Sequence, residues 1–142
     1  MKSENSCTWR VVVASCCVAV LAPGATPRET SIRHDEPTEI IYARVPESAR
    51  GKLNPLTADP DATRAGKKLF RLHCAECHGE DALGTKRGPT LRVEAVQNAK
   101  AGELFWILTN GVVRHGMPAW SKLPEAQRWQ IVTFLQSGVQ SE

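Results

Sequence analysis

The chain has 142 residues, 42% of them hydrophobic and 23% charged, with a formal charge of +3. A length of this order suits one compact domain with some additional segments, and the apolar content excludes a wholly disordered chain. The basic excess is small and its residues are not interleaved with aromatics, which excludes a nucleic-acid-binding protein.

The first element is an apolar stretch, RVVVASCCVAVLAPGA, over Arg10–Ala25, behind an N-terminus that carries Lys2. Its apolar core, Val11–Ala22, falls short of the roughly 20 residues that a spanning helix needs. A short core after positive charge, ending in small residues, reads as a secretory signal over 1–25, with cleavage near Gly24 or Ala25; Glu4 is the one residue out of pattern. VASC, Val13–Cys16, offers a second route: a lipoprotein signal ending before Cys16, which leaves that residue lipidated at the mature N-terminus. An uncleaved membrane anchor is the third. Each route places the domain in the periplasm or on the outer face of the cytoplasmic membrane, the last two with a membrane tether through the N-terminus. Of the five cysteines, Cys7, Cys16 and Cys17 lie in this region. The remaining pair, Cys74 and Cys77, supplies neither a disulfide framework nor the cysteines of a closed zinc site.

From 26 to 60 the chain is rich in proline and charge without a sustained apolar period, and it reads as an extended linker lying on the domain surface. Ile40, Ile41 and Tyr42 form a short apolar knot inside it, which as a local pattern fits a strand fragment.

The compact domain spans 61–142 and contains three helical patterns. DATRAGKKLFRLHC begins with a capping Asp61 and places Gly66 and Phe70 on one face. A glycine inside a helix costs about 1 kcal/mol relative to alanine, a cost acceptable where another helix crosses. In AGELFWILTNG, Leu104, Ile107 and Leu108 follow the helical period and Gly111 suits the C-terminal position. LPEAQRWQIVTFLQSG opens with Pro124, carries Ile131, Phe134 and Leu135 as a stripe, and ends at Gly138. The intervening segments are turn-rich. Three helices make a thin core, and domains of this size ordinarily depend on a staple, a metal or a bound group.

RLHCAECHGEDALGT, Arg71–Thr85, holds the answer to that shortage. Cys74, Cys77 and His78 form Cys-x-x-Cys-His, the attachment pattern of haem c. Two thiols a short fixed distance apart match the vinyl groups on neighbouring pyrroles, and the histidine that follows points an imidazole at the iron from the same side. A covalently anchored haem then fills the domain's centre. The competing readings are weaker. A redox dithiol calls for a βαβ setting that is missing, and His73, Cys74, Cys77 and His78 are too crowded to close a tetrahedron around zinc.

On these residues Asp61–Ser141 resembles a class I c-type cytochrome of the small bacterial kind, which implies an all-α cytochrome c fold, three main helices around one covalently bound haem c. The resemblance implies that Gly66 and Phe70 cross Ile131 and Phe134, although the family often has tyrosine where Phe134 stands. It implies that the carbonyl of Pro89, in Gly88-Pro89-Thr90-Leu91, accepts the imidazole N–H of His78, and that Leu91 packs on the haem edge. It implies that Gly116-Met117-Pro118-Ala119 is the loop that brings Met117 to the iron as sixth ligand. His115, two residues earlier, is the rival ligand and otherwise a surface histidine. His73 and His34 read as solvated; Trp106, Trp120 and Trp129 read as packing, with Trp106 or Trp120 available to a haem propionate.

An iron held by His78 and Met117 has no vacant position, and methionine raises its potential. The implied function is a single-electron carrier in a respiratory or dehydrogenase-linked chain, not an enzyme. The alternatives are a cytochrome subunit docked in a larger oxidoreductase, such as a quinoprotein dehydrogenase or terminal oxidase, and, behind it, a haem peroxidase or gas sensor. Partners are redox proteins, the protein itself a monomer. Arg64, Lys67, Lys68 and Arg71 on the first helix, with Lys86 and Arg87 after the motif, read either as a solvated face or as a patch for an acidic partner.

Overall fold

The computed structural model describes residues 38–138. The expected signal segment, Cys16, His34 and the start of the expected linker lie outside them. Among the described residues the fold is all-helical, with one isolated antiparallel bridge, Val112 to Met117.

Two short helices come first, α1 (Thr38–Ala43) and α2 (Glu47–Arg50). The three long ones are α3 (Pro60–His73, 14 residues), α6 (Ala101–Asn110, 10 residues) and α7 (Glu125–Gln136, 12 residues). Between them lie α4 (Ala75–His78) and α5 (Glu94–Gln97), and a 3-10 turn, Val113–His115, precedes α7.

α3 starts two residues earlier than its sequence pattern suggests. Asp59, not Asp61, is the cap: its Oδ1 accepts the backbone N–H groups of Asp61 at 2.8 Å and Ala62 at 3.1 Å, and Pro60 occupies the first turn, where its missing N–H costs nothing. α6 is capped by Glu103, whose Oε2 accepts the Lys100 N–H at 2.9 Å. Pro124 sits at the N-cap of α7, just outside the helix.

α3 crosses α7 where Gly66 lies. A Cβ there would stand 2.0 Å from the carbonyl oxygen of Gln130 and 2.9 Å from Phe134 Cβ, so only glycine permits this approach. One turn on, the Phe70 and Phe134 rings meet at 5.3 Å with a 53° tilt, a favourable aromatic geometry. The crossing therefore joins the residues expected to form it. α6 packs on the other side of α7 through Phe105 and Trp129, stacked at 4.0 Å.

Residues 38–60 differ from the extended course expected for them. They fold into α1, α2 and ordered turns that pack on α6 and α7, and Val45 and Asn54 are buried. The knot Ile40–Tyr42 is helical rather than a strand. The physical reason is a set of polar anchors. Arg50 donates to Glu103 Oε1 at 3.0 Å, to the Tyr42 carbonyl at 2.7 Å and to the Val45 carbonyl at 3.1 Å. Lys52 pairs with Glu125 at 3.0 Å, and the Asn54 amide donates to Thr133 Oγ1 at 2.9 Å in the interior.

Candidate functional site

The apolar stripes of α6 and α7 do not close on each other. Leu104, Ile107 and Leu108 from α6 and Ile131 and Leu135 from α7 face a cavity of about 260 Å³. Its remaining wall brings together the residues that carry the chemistry.

His78 ends α4 at the cavity, and its Nδ1 lies 2.9 Å from the carbonyl oxygen of Pro89. A carbonyl only accepts, so Nδ1 carries the proton and Nε2 of the neutral ring keeps its lone pair. Such a bond fixes the ring's orientation and makes the free nitrogen a better ligand. The loop that supplies Pro89 is tied back locally: the Leu91 N–H donates to the Ala82 carbonyl at 2.9 Å and the Thr85 hydroxyl to the Cys77 carbonyl at 2.7 Å. Pro89 and Leu91 both line the cavity.

Cys74 forms the junction between α3 and α4 and lines the same wall; Cys77 stands one turn on, beside Gly88 and outside the immediate lining. Both thiols are free and partly buried. Burial, with Cys77 nearby as a secondary cause, pushes the Cys74 thiol up to about 12. A redox dithiol needs the opposite, a thiol lowered toward neutrality. No three His, Cys, Asp or Glu side chains among the described residues converge on a metal position, so the zinc reading has no geometry either.

Met117 and His115 line the cavity from the loop between α6 and α7. Met117 is half-buried at the base of a small closed hairpin: the Val112 N–H donates to its carbonyl at 3.0 Å and its own N–H to the Val112 carbonyl at 3.3 Å. His115 lies in the exposed turn above. Trp106 and Trp120 stand outside the cavity lining; Trp120 packs at 5.2 Å on the ring of His73, which is half-buried rather than solvated. Trp129 is core.

The lining residues that went unassigned in the sequence include Val93, Val96 and Val112 and, from α1, Ile41 and Tyr42. The apolar run of the last two is visible, but its partners lie far along the chain. The wall as a whole is apolar, with a thiol, two imidazoles and a thioether at one cavity. That donor set fits a haem c.

Comparison with known proteins agrees in kind. Residues 61–135 match the family described as cytochrome c oxidase, cbb3-type, subunit III. The chain is 34% identical over 83 residues to the cbb3-type cytochrome c oxidase subunit FixPc of Rhizobium leguminosarum bv. viciae, covering 56% of this chain and 29% of that one. It is 40% identical over 57 residues to subunit CcoP of Rubrivivax gelatinosus, covering 32% and 19%. The chain thus spans less than a third of the length of these relatives. Among solved structures, cytochrome cL of the methylotroph Methylophaga aminisulfidivorans is similar at a TM-score of 0.53 and 29% identity, over 60% of this chain and 58% of that one.

Proposed function

The chain belongs to the cytochrome c oxidase, cbb3-type, subunit III family, a family of c-type cytochrome domains, and from that premise we propose that it is a single-electron carrier with one haem c. The observation that carries this reading is the shared cavity of Cys74, His78 and Met117, with His78 Nδ1 held by Pro89. The single Cys-x-x-Cys-His in this sequence supports a count of one.

Haem c supplies a one-electron couple when bound. Cys74 and Cys77 would hold the group covalently, each as a thioether to one vinyl substituent. His78 would ligate the iron through Nε2, with Pro89 keeping that ring from turning. Leu91 would pack on the edge of the group. Met117 would be the second protein ligand, and two permanent protein ligands would favour a carrier over a peroxidase or gas sensor.

A second reading is favoured by the relatives' names: the domain works as the cytochrome subunit of a terminal oxidase rather than as a free, monomeric shuttle. Both readings place 61–142 as the cytochrome domain outside the cytoplasmic membrane, delivered by a signal over 1–25 or tethered there through the N-terminus. Redox proteins, with acidic faces toward Lys86 and Arg87, are the partners.

Absorption spectra of the purified protein, oxidised and reduced, test the reading together with a haem stain after denaturing electrophoresis. One haem per chain, not extractable by acid–acetone, is expected. Extractable colour, or none in protein made with a haem-attachment system, sinks it.

A further inference from the structure

The family match begins at residue 61, yet the cavity wall does not. Ile41 and Tyr42 contribute to it from α1, a segment outside the matched region. That segment is fixed at several independent points. A Cβ at Gly102 of α6 would stand 2.0 Å from the carbonyl oxygen of Ala49, so α2 lies directly on the backbone of α6. Asn54 and Thr133 join the segment to α7 in the interior, and Lys52 does so at the surface.

Arg50 ties these contacts to the cavity. Its guanidinium makes three directional bonds: one to Glu103 on α6, one to the carbonyl of Tyr42 in α1 and one to the carbonyl of Val45 just beyond α1. The three bonds use separate N–H groups of one planar fork, which lysine cannot reproduce. Glu103 is 8% exposed and is held in turn by the Lys100 N–H, so the anchor does not swing. Without Arg50 the carbonyls of Tyr42 and Val45 lose these donors, and α1 loses this polar tie to α6.

We propose that Ile41 and Tyr42 are a built wall of the haem site, in which Arg50 is the positioning residue that holds them against the bound group, excludes water from it and thereby raises its reduction potential. The inference rests on the proposed haem site. Its physics is that ferric haem carries one more positive charge than ferrous, so water at the group favours the oxidised state, and burial is one of the levers on haem potential.

The test is redox titration, with spectra, of the haem-loaded full chain and four variants. Arg50→Ala and Tyr42→Ala are expected to lower the potential while the spectrum remains six-coordinate. Tyr42→Phe keeps the ring and is expected to stay close to wild type. Leu53→Ala, at a side chain 86% exposed on the same segment, is the control and is expected to change nothing. Unchanged potentials in both alanine variants at the wall and its anchor overturn the proposal. So does a Tyr42→Phe shift as large as that of Tyr42→Ala, because the hydroxyl and not the wall would then be acting. Should Arg50→Ala fail to fold, Tyr42→Ala, which leaves the Arg50 network in place, decides alone. A wild-type chain with no haem spectrum fails at the earlier reading, a result distinct from a folded, six-coordinate variant with an unmoved potential.

Discussion

Met117 and His115 line the same cavity two residues apart, and the backbone between them separates their roles. The mutual bonds between Val112 and Met117 close the hairpin at Met117, whereas His115 rides in the exposed turn before the left-handed Gly116. A soft thioether on a fixed stem suits an iron ligand that keeps its place in both oxidation states. Met117→Ala is therefore expected to open the sixth position to carbon monoxide, and Met117→His to keep six-coordination at a lower potential, while His115→Ala leaves the spectrum as it is. Carbon monoxide binding by His115→Ala and not by Met117→Ala reverses the assignment. Tyr42 yields a pH prediction. Burial, with the Glu103 charge adding, pushes its phenol from 10.0 up to about 12. A group whose pKa is raised by folding contributes its full stability below the unfolded value and loses it as pH rises through the folded one. Wild-type stability should thus fall more steeply between about pH 10 and 12 than that of Tyr42→Phe; parallel pH profiles from thermal melts contradict the burial of this phenol.

At the scale of elements, the α3–α7 crossing depends on the absence of one methyl group. Because the obstacle to a side chain at Gly66 is the Gln130 carbonyl, which cannot rotate away, Gly66→Ala is expected to destabilise the haem-loaded protein by about 1–3 kcal/mol or more, seen as a Tm several degrees lower. An unchanged Tm removes the close approach. The apolar stripes of α6 and α7 were legible in the sequence as local periods of three to four residues; the partners at this crossing came from the resemblance to c-type cytochromes, not from a period. The haem motif was legible for a related reason, as a pattern of five consecutive residues, whereas the bond from His78 to Pro89, 11 residues on, was expected only from the resemblance. α1 and α2 were not. What holds them is Arg50 to Glu103 across 53 residues and Asn54 to Thr133 across 79, and no local pattern announces contacts so distant. Proline and charge made the stretch look like a linker, while three polar side chains made it structure. Asn54→Ala strips Thr133 Oγ1 of a buried donor, although that hydroxyl still bonds the Trp129 carbonyl at 2.9 Å. It is expected to cost about 1–3 kcal/mol in denaturant melts, and no loss at all would mean that the segment is not anchored there.

For the whole molecule, charge near the cavity matters more than charge overall. The chain's formal +3 is modest, and on α3 one of the basic residues, Arg64, is paired with Asp61. Arg87 lines the cavity and pairs with Glu76, and Lys86, next in sequence, is exposed. Exposed charges act on a diffusing partner over about 10 Å at 0.1 M ionic strength, so those close to the bound group govern encounter and those on the far face do not. This separates the two readings of the basic residues that the sequence left open. If the cavity rim is a positive docking face, oxidation of the reduced protein by the anionic oxidant hexacyanoferrate(III) should slow as salt is added. Oxidation by a cationic cobalt complex of similar driving force should accelerate. Lys86→Glu should flatten or invert both dependences, whereas Lys68→Glu, at an exposed position on α3, should alter them less. The two variants change net charge equally, so any difference between them reports position and not total charge. Equal effects would mean that the rim carries no special field and that the basic residues are an ordinary solvated surface.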